Sequence, residues 1–94
     1  MPRPCKRRRI RGNPNSSFFK PAGIRKIDLE TVNLALDEME ALRLKDFLNL
    51  DQNEASQMME ISQPTFHRLL LSARKKVTDA IINGKAIRIE RKEL

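Results

Sequence analysis

The sequence predicts a small, mainly α domain of three helices, with an extended basic arm in front and a short strand behind. Three observations predict it. Apolar residues recur with sustained helical spacing only between residues 37 and 84. Four of the five prolines and two of the three glycines fall in the first 23 residues, which forbids a long helix there. The segment Lys85 to Arg91 alternates apolar and charged residues, the period of a strand. The boundaries follow: a basic arm and extended segment over 1–36, a helical domain over 37–84, and a strand and tail over 85–94.

Each element has its own signal. Asn13 to Ser17 reads as a loop, and Phe18-Phe19 is an aromatic pair expected to dock one ring on the helical core. Residues 24–36 alternate in part (Ile27, Leu29, Val32, Leu34, Leu36), which predicts short extended pieces. Asp37 is the expected cap of the first helix, with Glu40 three residues on as its capping-box partner. Met39, Leu42, Leu44, Phe47 and Leu48 form the apolar stripe of that helix over 38–48. Asp51 with Glu54 opens a second helix, whose inward residues are Ala55, Met58 and Met59. Ser62 caps a third helix with Pro64 in its first turn, where a missing N–H costs nothing. Phe66, Leu70, Ala73 and Val77 set its buried face, and Gly84 ends it after about 20 residues, or roughly 30 Å. A strand over 85–91 needs a partner, either the 1–36 segment or another subunit.

Charge is distributed unevenly. Ninety-four residues carry a net charge of +7. Residues 1–27 hold nine basic residues and no acid, residues 28–71 hold nine acids and three bases, and residues 72–94 hold seven bases and three acids. Two basic ends around an acidic middle point to a nucleic-acid partner. No apolar run approaches the roughly 20 residues of a membrane span, and no signal peptide is read, so a soluble cytoplasmic protein is expected. A single cysteine, Cys5, excludes an internal disulfide and a multi-cysteine zinc site. No metal and no cofactor are expected. Cys5 and His67 are the only nucleophile–base set, and nothing orients them, so no enzyme is expected.

Two short capped helices joined by a tight turn, the second longer and more basic, describe a helix-turn-helix. Ala55 is small where two helices must approach, and Ile61 fills the turn. The runs Leu36-Asp37-Glu38-Met39-Glu40-Ala41-Leu42-Arg43-Leu44, Asn53 to Thr65 and Ala73-Arg74-Lys75-Lys76-Val77 resemble the region-four helix-turn-helix of sigma factors. The whole chain is similar to a small family of predicted DNA-binding proteins. The likeness rests on the Met1-Pro2-Arg3-Pro4 opening, Arg8-Arg9-Ile10, Phe19-Lys20-Pro21-Ala22-Gly23, Ser62 to Phe66, and Asn83 to Ile89. The resemblance implies a sigma-region-four-like fold and DNA binding in transcriptional regulation. It also implies that some relatives carry a metal-cofactor-type domain after this one, which this chain is read as lacking; other sigma-factor regions do not fit in 94 residues. Two positions depart from the pattern. Glu60 stands where such turns carry Gly, which predicts a left-handed non-glycine residue, and Gln63 replaces a basic residue.

The expected function is sequence-specific binding of double-stranded DNA, with the third helix in the major groove. The base-contacting candidates are Gln63, Thr65, His67, Arg68 and Ser72. Arg68 suits guanine O6/N7 and Gln63 suits adenine N6/N7. The backbone-contacting candidates are Arg3, Lys6, Arg7, Arg8, Arg9, Arg11, Lys20, Arg74, Lys75 and Lys76. Arg74 has an alternative in a salt bridge to Glu54 or Glu40. Glu38, Asp46 and Glu60 are expected to face away from the duplex. The rival readings are an RNA-binding module, which the absence of Tyr and Trp disfavours, and a module contacting RNA polymerase. A homodimer through the strand and through Leu69 and Leu71 is the further partner considered.

Overall fold

The computed structural model describes residues 10–12 and 17–90. Arg3, Cys5, Lys6, Arg7, Arg8, Arg9 and most of the Asn13 to Ser17 loop lie outside these residues. The described elements are β1 (Phe18–Phe19), a single 3-10 turn (Lys26–Asp28), β2 (Thr31–Leu34), α1 (Leu36–Leu42), α2 (Gln52–Met59), α3 (Gln63–Asn83) and β3 (Ala86–Ile89). The chain is mainly helical with one small sheet, compatible with a three-helix helix-turn-helix domain.

The caps of α2 and α3 form where the side chains dictate. Asp51 accepts the Glu54 N–H at 2.8 Å, and Ser62 accepts the Thr65 N–H at 3.2 Å. Gly84 closes α3 in the left-handed region (φ 66°), and the Lys85 N–H reaches the Ala80 carbonyl. Glu60 also adopts φ 60°, the left-handed turn predicted for it.

The start of α1 corrects the sequence reading. Ala35, not Asp37, is the cap residue, and Glu38, not Glu40, reaches back to accept the Ala35 N–H at 2.9 Å. Strand β2 runs to Leu34, so a single residue separates strand from helix and the helix begins early. The far end of the apolar stripe is a second correction. After Leu42 the ladder widens to i→i+5 bonds over Arg43–Phe47, with the Leu48 N–H donating to the Arg43 carbonyl. The wider turn shifts the helical phase. Leu44 stays buried, while Phe47 is 80% exposed and Leu48 43% exposed.

The core has two parts. Ala41, Leu44, Ala55, Met59, Phe66 and Leu70 are buried between the three helices, and Leu34, Ala73 and Ile89 are buried between α3 and the sheet. Leu42 packs against both. Val77 is half-buried rather than buried, and Ala80 is fully covered. The alanines at these crossings allow backbones to approach, as Ala55 was placed to do.

Strand β3 is the middle strand, antiparallel to β1 and parallel to β2. It therefore finds its partners in the 1–36 segment, and the strand no longer argues for a second subunit. Leu69 packs against the helical core, which leaves Leu71, 50% exposed, of the two leucines proposed for an interface. The aromatic pair lies on the sheet instead of the helical core. The Phe18 ring sits 4.8 Å from Lys26 Nζ and 5.3 Å from Arg88 Cζ, and Phe19 is half exposed.

Candidate nucleic-acid interface

Helix α3 has one buried side, two flanks in contact with neighbours and one exposed side. The exposed side carries Pro64, His67, Arg68, Leu71, Lys75, Thr78 and Ile82. These residues recur at three- and four-residue spacing, so they form one stripe along the helix. Three of the residues chosen from the sequence, His67, Arg68 and Lys75, fall on it.

The flank towards α2 holds two more. Gln63 is exposed, and its Nε2 donates to Asn53 Oδ1 at 3.0 Å. Asn53 and Gln52 stand in the first turn of α2, beside the start of α3. Sequence reasoning did not single out either one; polar residues at the head of the second helix were the only signal. Arg74 donates to both carboxylate oxygens of Asp46, at 2.6 and 3.0 Å. The pair holds Asp46 below the ordinary aspartate range and raises Arg74, mainly through this hydrogen bonding. Arg74 is thus engaged with an acid, but with Asp46 rather than Glu54 or Glu40.

The opposite flank is bonded to the neighbouring elements. Ser72 donates to Glu38 Oε2, and Lys76 Nζ donates to Glu38 Oε1 at 2.8 Å and to the Asn33 carbonyl at 2.9 Å. Both residues therefore tie α3 to α1, and Lys76 also ties it to β2. Thr65 lies near this flank; its hydroxyl accepts from Ser62 Oγ at 3.0 Å and from Arg68 Nη2 at 3.3 Å. The Thr65 bond sets the direction of the Arg68 side chain across the exposed side. Lys20 curls over its own turn, donating to the Ile24 carbonyl at 2.7 Å.

The acids of the middle segment do not simply face away. Glu38 and Glu40 are both buried. Burial works to raise each carboxyl, but hydrogen bonds outweigh it, from Lys76, Ser72 and the Ala35 N–H for Glu38 and from Arg43 and two backbone N–H groups for Glu40. Both titrate below the ordinary glutamate value of 4.5. Stability contributed this way is fully present above the unfolded value and is lost as pH falls through the folded values. The urea midpoint should therefore stay level from pH 7 to about 5 and drop below about 4. Glu38→Gln should lessen that drop; a midpoint that stays level to about pH 3 contradicts the assignment.

Among the described residues, no group of three or more His, Cys, Asp or Glu side chains is placed to hold a metal ion. None of their helices is long and apolar enough to cross a membrane.

The family model described as "Protein of unknown function DUF134" matches residues 1–94. The chain is 53% identical over 90 residues to UPF0251 protein TTE1845 of Caldanaerobacter subterraneus subsp. tengcongensis, covering 96% of this chain and 76% of that protein. It is 57% identical over 90 residues to UPF0251 protein DET0218 of Dehalococcoides mccartyi, covering 96% and 77%. It is 50% identical over 90 residues to a UPF0251 protein of Halothermothrix orenii, covering 96% and 67%. No solved structure matches the chain. A match over the full length, with relatives this similar, means that the chain belongs to the DUF134 (UPF0251) family of proteins of unknown function.

Proposed function

We propose that this chain binds double-stranded DNA sequence-specifically and acts in the cytoplasm as a transcriptional regulator. Helix α3 enters the major groove, and the basic arm lies on the backbone or in the minor groove. The observation that carries the reading is the exposed side of α3. It presents His67 and Arg68 near its N-terminal end and Lys75 two turns later, flanked by Gln63, while Glu38 on the same domain is buried. Arg68 is assigned to a guanine edge, Gln63 with Asn53 to an adenine edge, His67 and Thr65 to the groove wall, and Lys75 to phosphate. The likeness of Asn53 to Thr65 to region four of sigma factors supports the same placement.

Titration of labelled duplex DNA and of structured RNA of equal length, at one salt concentration, tests the reading. Tighter binding of the duplex is expected; preference for the RNA would replace this reading with the RNA-binding one. Arg68→Ala should cost about 1–3 kcal/mol of discrimination at one base pair. A uniform loss on every sequence would assign Arg68 to phosphate instead.

A protein contact has separate support. Ile81 and Ile82 are 71% and 73% exposed on the C-terminal half of α3. A homodimer or a polymerase contact through that half is compatible with DNA held at the other end. Sedimentation at high concentration distinguishes them: a monomer removes the homodimer.

A further inference from the structure

Glu40 is almost fully buried, at 1% exposure, yet its carboxylate serves residues far away in the chain. It accepts the backbone N–H of Arg11 at 3.0 Å and of Gly12 at 3.1 Å. It also accepts Arg43 Nε at 2.9 Å and Nη2 at 3.0 Å, a two-pronged charged pair. Four donors satisfy one buried carboxylate, and two of them belong to the end of the basic arm. The fit is close: a Cβ on Gly12 would overlap Nε and Cδ of Arg43 and come within 2.8 Å of Glu40 Oε1. A side chain at residue 12 would force Arg43 or the arm to shift.

We propose that Glu40 and Arg43 are positioning residues that anchor the basic arm at Arg11–Gly12 to α1, so that its charges act on DNA from a fixed point on the helical domain. The inference rests on the DNA-binding reading above and adds the site that aims the arm. Arg9 lies three residues before Gly12 and eight before Ser17. Ser17 is the next described residue with a backbone tie, its carbonyl accepting the Ile89 N–H at 2.8 Å. Three residues of chain span at most about 10 Å and eight at most about 28 Å, so the anchor at Gly12 shortens the length of chain between Arg9 and the helical domain. Effective concentration falls roughly as the −3/2 power of tether length. The loss is about fourfold for Arg9 and about twofold for Arg3.

Gly12→Ala in the full chain, with Glu40→Gln as a second variant, tests the anchor through two readouts. Hydrogen exchange, read without DNA, should show the Arg11 and Gly12 amides protected in the parent chain and exposed in Gly12→Ala. Duplex affinity at low salt should fall about two- to fourfold in Gly12→Ala. The same substitution in a chain that lacks residues 1–9 and carries Arg11→Ala should leave affinity unchanged. An equal loss in both chains would mean general damage to the fold and overturns the proposal. So do unprotected Arg11 and Gly12 amides in the parent chain. If the parent chain binds no duplex, the DNA reading fails and the aiming role with it, while amide protection separately reports whether the anchor exists.

Discussion

Duplex affinity is expected to fall about a thousandfold between 50 and 200 mM salt. The estimate counts about six phosphate contacts, each releasing close to one counterion, for a slope of log K against log salt near −5. The sequence supplies the charges in two groups: Arg3, Lys6, Arg7, Arg8, Arg9 and Arg11 in the arm, and a smaller group on α3. The structure reduces the second group. Arg74 is held by Asp46 and Lys76 by Glu38, so on the proposed reading Arg68 and Lys75 are the cations that the exposed side of α3 offers a duplex. Most of the slope must then come from the arm. Removing residues 1–11 should flatten it to about −1, the share of Lys75, while base discrimination through Arg68 survives. Fluorescence anisotropy at four salt concentrations reads both quantities. A slope unchanged by the deletion would take the arm off the phosphates.

Phe66→Ala should destabilise the domain by about 3–5 kcal/mol. Phe66 is the largest fully buried side chain, completely covered, and it stands where α1, α2 and α3 meet. Removing its ring forfeits the transfer of its apolar surface and leaves a cavity among neighbours that the Ala41 and Ala55 contacts hold close. A domain of this size has about 5–15 kcal/mol in total, so the variant loses a large share of its stability and melts about 15–30 °C lower. Phe47→Ala is the matched comparison. Its ring is 80% exposed, and its loss should stay within about 0.5 kcal/mol. Urea unfolding followed by circular dichroism compares them. Equal losses would mean that the wide turn at Arg43–Phe47 does not carry Phe47 outward.

What the sequence made legible was local. Asp51, Ser62 and Gly84 end their helices through bonds to backbone within a few residues, so their positions follow from residue type. Glu60 takes the left-handed conformation at the end of α2, where the tight turn to α3 begins, so its place in the turn was enough to predict it. The buried face of α3 was legible because its apolar residues keep a single period. The flanks of α3 were not. Ser72 and Lys76 sit four residues apart at the edge of that face, and their role depends on where α1 packs, 34 and 38 residues away in sequence. Glu38 reads as an outward-facing acid and Glu40 as the capping partner of Asp37, because their distant partners, Ser72 and Lys76 for Glu38 and the Arg11 and Gly12 N–H groups for Glu40, leave no local mark. The i,i+3 spacing of Glu40 and Arg43 was the only visible hint of the arm's anchor. The first turn of α1 and the i→i+5 turn were hidden for the same reason, since both answer to the sheet and core around them.

Selection of bound duplexes from a random pool, followed by sequencing, tests DNA recognition most directly. The parent chain should enrich one short motif, and Arg68→Ala should relax a single position of it while leaving the rest in place. Enrichment of no motif by the parent chain, at a salt concentration where it binds the pool, would contradict base readout by α3.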